Sequence, residues 1–219
     1  MTARMFFGLE LPMQWKRSLR AQVRLLREEY VRTAAWSNPD LVHITVLFLG
    51  MVDESDRSSL TEAGRVAAAQ VKPIQLTTGH YGEFSGNRVF WLGLDRQESD
   101  WDELMQLGEL VRQNVSERVR LDLDEKRFRP HITLARKLAK WVDVKKLPSP
   151  TRLTTVVTEL CLFESLREDG QLAYPVRERF PLGQLVEGPP APRPSMSDRT
   201  LRHVAYVCGA VRNGASPSH

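Results

Sequence analysis

The sequence predicts an α+β protein built from two similar halves, and three observations carry that prediction. Helical and strand patterns follow one another in the order βαβαββαβββ, with hairpins between the helices rather than a strict βαβ alternation. Two strand-like segments, His43-Ile44-Thr45-Val46 and His131-Ile132-Thr133-Leu134, are near copies 88 residues apart. Hydrophobic residues make up 42% and charged residues 26% of the 219 positions, an ordinary globular balance for one substantial domain or two small lobes. The expected architecture is bilobal. Two duplicated βαβ-type halves, with mostly antiparallel sheets, flank a central groove, and the helices lie outside.

Residues 4–11 have the apolar density of a short strand. Pro12 stands where a helix begins, and Trp15, Leu19, Val23, Leu26 and Tyr30 recur at spacings of three and four, predicting an amphipathic helix to about Val31. Trp36 to Asp40 is a turn cluster. Leu41 to Leu49 is apolar except for His43 and Thr45, as expected of a strand with one core face and one working face, and Gly50 bounds it. Asp53 and Ser55 are cap candidates for an alanine-rich helix to Gln70, which Pro73 closes off. Residues 74–81 and 88–94 form a strand pair joined through a turn-rich loop. A third helix runs from Ser99 or Asp100 to Arg118 on a Trp101, Leu104, Leu107, Val111, Val115 stripe. Pro130 opens the strand 131–136, a short helical turn is expected near Trp141 to Lys145, and strands 152–164 and 172–180 are joined through Arg167 to Gly170. Past Leu182 the composition turns Pro- and Gly-rich (Gly188 to Ser195), so residues 1–182 are expected to form the working domain and 183–219 a loosely docked or poorly ordered tail.

The formal charge is +4 with a pI near 9.3, mildly favourable to phosphate-bearing ligands. No apolar run approaches the roughly 18–20 residues that span a bilayer, and the N-terminus enters a strand without the layout of a signal peptide. Cys161 and Cys208 offer neither zinc spacing nor a disulfide framework, which points to a reducing cytoplasm.

Strand alternation puts His43 and Thr45 on one face and Ile44 and Val46 on the other, and the second motif repeats this with His131 and Thr133. Each motif thereby offers an imidazole and a hydroxyl to the groove. Histidine's ordinary pKa, roughly 6.5, lets one ring be neutral and the other protonated, so one can take a proton from water and the other give one to a departing alkoxide. The threonine hydroxyls can donate to non-bridging phosphate oxygens. A zinc site is the rival use of two histidines, but no third ligand stands near either motif and threonine ligates poorly. His80 is expected to be a surface histidine and Cys161 a core residue. Gly79, Gly82 and Gly86 are not followed by Gly-Lys-Ser/Thr and so make no phosphate loop.

The stretches His43-Ile44-Thr45-Val46-Leu47-Phe48-Leu49-Gly50 and Arg129-Pro130-His131-Ile132-Thr133-Leu134-Ala135-Arg136 resemble the two signatures of the two-histidine (2H) phosphoesterases. Within that superfamily they are most similar to the RNA 2′,3′-cyclic phosphodiesterase (LigT, or 2′-5′ RNA ligase) branch, over residues 3–182. The resemblance implies a pseudo-twofold fold and hydrolysis of RNA or nucleotide 2′,3′-cyclic phosphates to 2′-phosphomonoesters, with no metal and no cofactor. It implies His43 as general acid and His131 as base, Thr45, Thr133 and Arg136 on the phosphate, and Phe48 as a base-stacking aromatic. Arg129 and Pro130, which open the second motif, are expected at the substrate. Plain alternation opposes two of these. Phe48 and Arg136 each stand five residues after their histidine, on the wrong face unless a twist or bulge re-aims them. The expected partner is RNA with cyclic phosphate ends or cyclic nucleotides, bound by a monomer away from membranes. Reversible 2′-5′ ligation through the same histidines, or an RNA-end binding module with little turnover, are the alternatives.

Overall fold

A computed structural model describes residues 1–31, 35–84, 86–124 and 126–184. The tail expected from 183 therefore lies, from 185 on, outside the described residues. The strands are β1 (Thr2–Glu10), β2 (Ala35–Trp36), β3 (His43–Asp53), β4 (Ile74–Phe84), β5 (Val89–Leu94), β6 (His131–Arg136), β7 (Thr154–Val157), β8 (Glu159–Glu164), β9 (Leu166–Glu168), β10 (Gln171–Ala173) and β11 (Val176–Pro181). The helices are α1 (Met13–Leu25), α2 (Arg57–Ala69) and α3 (Trp101–Arg118). The α+β class holds.

The two halves share one sheet. Its order is β11-β8-β1-β3-β6-β5-β4-β7, with β2 added beside β6, and β9 and β10 form a separate hairpin. Every strand pair is antiparallel. The motif strands β3 and β6 meet at the centre, each with its own half behind it, through a single residue pair, Ile44 with Ile132. One core serves both halves. Ile44, Ile132, Leu60, Leu104, Leu107 and Phe90 are fully buried in it, so the helices cover one face and leave the His/Thr face open.

Several expected elements change form. The single strand 152–164 is two strands broken at Thr158: β7 pairs with β4 at one end of the sheet and β8 with β1 near the other. One chain crossing between distant sheet positions within a residue requires the sheet to curl. The strand 172–180 is likewise β10 and β11, with Asp169 and Gly170 at φ 49° and 78° forming the tight turn after β9. The helical turn near 141–145 is only a 3-10 turn at Val144–Lys146. Neither Asp53 nor Ser55 caps a helix through its side chain, because a 3-10 turn (Glu54–Asp56) leads directly into α2. Gly50 does not end its strand. At φ 78° it lies within β3, which continues to Asp53.

Gly8 marks the closest approach between β1 and β3. A Cβ there would stand 2.9 Å from the Ile44 carbonyl oxygen and 3.3 Å from the Phe163 ring. The carbonyl belongs to a central strand and cannot move aside. Gly8→Ala is therefore expected to cost about 1–3 kcal/mol by overpacking, read as a lower urea midpoint with an unchanged slope.

Candidate active site

Each motif histidine is fixed by its own backbone. His43 Nδ1 lies 2.8 Å from the Leu41 carbonyl oxygen and His131 Nδ1 lies 2.7 Å from that of Arg129, two residues back in both cases. A carbonyl can only accept, so Nδ1 carries the proton and donates it. That leaves Nε2 on each ring as the atom that can take up or give a proton. Pro130 sits between Arg129 and His131, is buried, and keeps the residue before it extended, which holds the Arg129 carbonyl in place.

The Ile44–Ile132 pair sets the rest of the quartet. One step to either side, antiparallel register places Thr45 across from His131 and His43 across from Thr133. All four side chains are half-buried, while Ile44 and Ile132 are fully buried on the opposite face.

Phe48 and Arg136 reach the open face through matching bulges. In β3 the register with β1 runs Phe7–Leu47 then Gly8–Thr45, passing over Val46. In β6 the register with β5 runs Phe90–Ala135 then Trp91–Thr133, passing over Leu134. Val46 and Leu134 hold the same place in the two motifs, and each extra residue reverses the alternation beyond it. Both strands accordingly show the same burial from the histidine onward: half, buried, half, buried, buried, exposed. Phe48 is 42% exposed, stands opposite Phe6, and carries the Arg4 guanidinium 4.9 Å from its ring. Arg136 is exposed, and its charge bears on both imidazoles.

Aromatic rings enclose both histidines. His43 lies against Phe6 (4.7 Å between centroids), Tyr174 (5.0 Å) and Phe163 (5.8 Å). His131 meets the edge of Phe84 at 4.8 Å and Trp91 at 6.4 Å. Burial pushes the His43 pKa down to about 4, against the pull of the Leu41 hydrogen bond and aided by the positive charge of Arg136. His131 moves in the same direction, first through burial and then through Arg136 and Arg129, with its own backbone bond opposing. Both rings are thus neutral at neutral pH in the unliganded protein, each with an Nε2 lone pair.

A cleft of about 760 Å³ opens beside the quartet, lined by Thr45, Phe48, Glu83, Phe84, Arg129 and His131 together with Arg112 and Lys126. A second cavity, of about 510 Å³, lies on the other side of His131 and takes in Arg129 and Pro130. His43, Thr133 and Arg136 line neither; His43 and Thr133 sit at the seam between the halves. Among the described residues no three His, Cys, Asp or Glu side chains cluster as metal ligands, and no helix is long and apolar enough to cross a membrane.

Residues 15–169 match the family model of the 2′-5′ RNA ligase superfamily. The chain belongs to that superfamily. It is 35% identical over 108 residues to an RNA 2′,3′-cyclic phosphodiesterase of Geobacillus stearothermophilus, a stretch that is 47% of this chain and 32% of that one. It is 34% identical over 106 residues to the protein of the same name from Thermotoga maritima, 47% of this chain and 54% of that one. The matched stretches thus span about a third and about half of these relatives. The crystal structure of E. coli LigT complexed with 3′-AMP superimposes with a TM-score of 0.68 at 26% identity, over 84% of this chain and 99% of that one.

In this 2′-5′ RNA ligase superfamily member, the His/Thr quartet was legible in the sequence and the rings around it were not. Phe6, Phe163 and Tyr174 come from β1, β8 and the segment after β10, and Phe84 and Trp91 from β4 and β5. They converge only through strand pairing. His80 is exposed as expected, yet it packs its edge on Trp91 (5.6 Å) and lines the second cavity. Cys161 is buried as expected, its thiol pushed up to about 11 by burial.

Proposed function

We propose that this protein hydrolyses RNA or nucleotide 2′,3′-cyclic phosphate ends to 2′-phosphomonoesters by acid/base catalysis between His43 and His131. The observation that carries this is the pair of imidazoles facing one seam, each with Nδ1 committed to a carbonyl and Nε2 free. His131 Nε2 takes a proton from water as the water oxygen bonds to phosphorus. The bond from phosphorus to the 3′ oxygen breaks, and His43 delivers a proton to that oxygen. Thr45 and Thr133 donate to the non-bridging oxygens, Arg136 offsets the developing charge, Phe48 stacks on the base, and Arg129 and Pro130 border the entering strand. His43 is neutral in the free protein, so its acid role needs the proton to arrive with the substrate. An anionic phosphodiester between the rings favours that charged form.

RNA ends are the substrate class most in keeping with the names of the matched relatives, and the E. coli relative is known in complex with 3′-AMP, a mononucleotide. We further infer that residues 1–182 act as the catalytic domain, as a monomer in the cytoplasm. The free, buried Cys161 is consistent with a reducing compartment.

The test is an RNA oligomer ending in a 2′,3′-cyclic phosphate, incubated with excess EDTA and followed by phosphorus NMR. A 2′-phosphate product is expected. A 3′-phosphate would reverse which oxygen leaves and hence the acid and base geometry. Binding without product would replace hydrolysis by an RNA-end sensor.

A further inference from the structure

The second cavity is built for a ligand different from the phosphate itself. Trp91 forms one wall, its ring laid over Gly82 and Gly93 so closely that a Cβ at Gly82 would stand 2.2 Å from it. Trp101, at the start of α3, forms another, with the Arg96 guanidinium 4.6 Å from its ring centre. Phe128 is seated on Gly108 of α3, where a Cβ would meet its ring at 2.5 Å. No aspartate or glutamate lines the cavity, and Arg96 has no carboxylate partner among the described residues. Flat apolar walls with an unopposed guanidinium select a flat aromatic ligand that carries negative charge, which is the chemistry of a nucleotide.

The cavity also adjoins the catalytic cleft. The two share Phe84, Arg127, Phe128, Arg129 and His131 as walls, so the cavity lies within one nucleotide's reach of the cleft at His131. The halves differ at this point. Thr45 faces Gly8 across the strands, whereas Thr133 faces Trp91, so only the second half supplies an indole beside its motif.

We propose that this cavity is a subsite for the nucleotide preceding the cyclic end, its base stacked between Trp91 and Trp101 and its phosphodiester against Arg96. The subsite rests on the RNA-end hydrolase proposed above. It makes the protein an enzyme of oligonucleotide ends in preference to mononucleotides.

The test compares a nucleoside 2′,3′-cyclic phosphate with a dinucleotide ending in the same group. The expected kcat/KM for the dinucleotide is higher by about tenfold or more, the range that stacking one further base supplies. Arg96→Ala and Trp101→Leu should each reduce that ratio toward unity while mononucleotide turnover stays within about twofold of the parent value. The leucine keeps apolar volume at the helix start, and Arg96 is exposed, so the Arg96 variant stands if the Trp101 variant folds poorly. Equal kcat/KM for the two substrates in the parent protein, or variants that lower both alike, would overturn the subsite and leave the hydrolase reading intact. Turnover of neither substrate would overturn the hydrolase reading, and the subsite with it.

Discussion

Alanine at either His43 or His131 should lower kcat by about 10²–10⁴, since each removal takes away one proton-transfer partner. The double variant should be little worse than the weaker single one, because acid and base act on the same displacement and their losses do not add. His43 is enclosed by Phe6, Phe163 and Tyr174, so alanine there also leaves a gap among aromatic rings. His43→Phe separates the two effects. It refills the space and supplies no proton, so it should retain stability and remain as inactive as His43→Ala. Either histidine variant working within tenfold of the parent protein would remove that ring from the mechanism.

Stability and rate should both respond to mildly acidic pH, and in opposite directions. The His43 pKa is about 4 in the folded protein, whereas in the unfolded chain it lies near the ordinary value of roughly 6.5. Between those values the unfolded chain binds the proton and the folded one does not. The stabilising contribution is therefore complete above about pH 6.5 and is lost as pH falls toward 4, up to about 3 kcal/mol at 1.36 kcal/mol per pKa unit. Urea unfolding at pH 7.5 and 4.5 measures it, and His43→Phe should lose less stability over that interval than the parent. An equal loss in both proteins would place the acid sensitivity elsewhere. The rate moves the other way. Turnover needs one protonated ring and one neutral ring, and in the free protein both pKa values lie below the ordinary one. The kcat/KM should thus climb as pH is lowered from 8 through 6.5 and fall only once the second ring also takes up a proton. A maximum on the alkaline side of pH 7 would contradict this arrangement.

The features the sequence determined by itself are those set within a few residues. The stripe predicted from Trp15 to Tyr30 makes its helix through 3.6-residue periodicity, with Trp15, Leu19, Val23 and Leu26 buried as it requires, but the α-helix ends at Leu25 and a π-turn over Leu26–Tyr30 leaves Tyr30 exposed. The His-x-Thr spacing puts ring and hydroxyl on one face by alternation, and the carbonyl two residues back holds each ring, so both catalytic candidates needed only local chain geometry. The family resemblance, carried by those same short stretches, agrees with the match over residues 15–169.

What only the tertiary structure decided depends on which strand lies beside which. Alternation alone turned Phe48 and Arg136 toward the core. The bulges at Val46 and Leu134 return them to the open face, and a bulge exists only relative to a partner strand. The break at Thr158 looked like unbroken strand because Thr154 to Phe163 is mostly β-branched and apolar, with no Gly or Pro to mark a break. Two different partners, β4 and β1, divide it between distant parts of a curled sheet. The aromatic enclosure that lowers both histidine pKa values, and the cavity walled by Trp91 and Trp101, gather residues from strands and helices far apart in the chain. Local propensity fixes the conformation of a segment. Register, burial and the field at a side chain come from neighbours that are distant in sequence, and they were settled only when the two halves closed on Ile44 and Ile132.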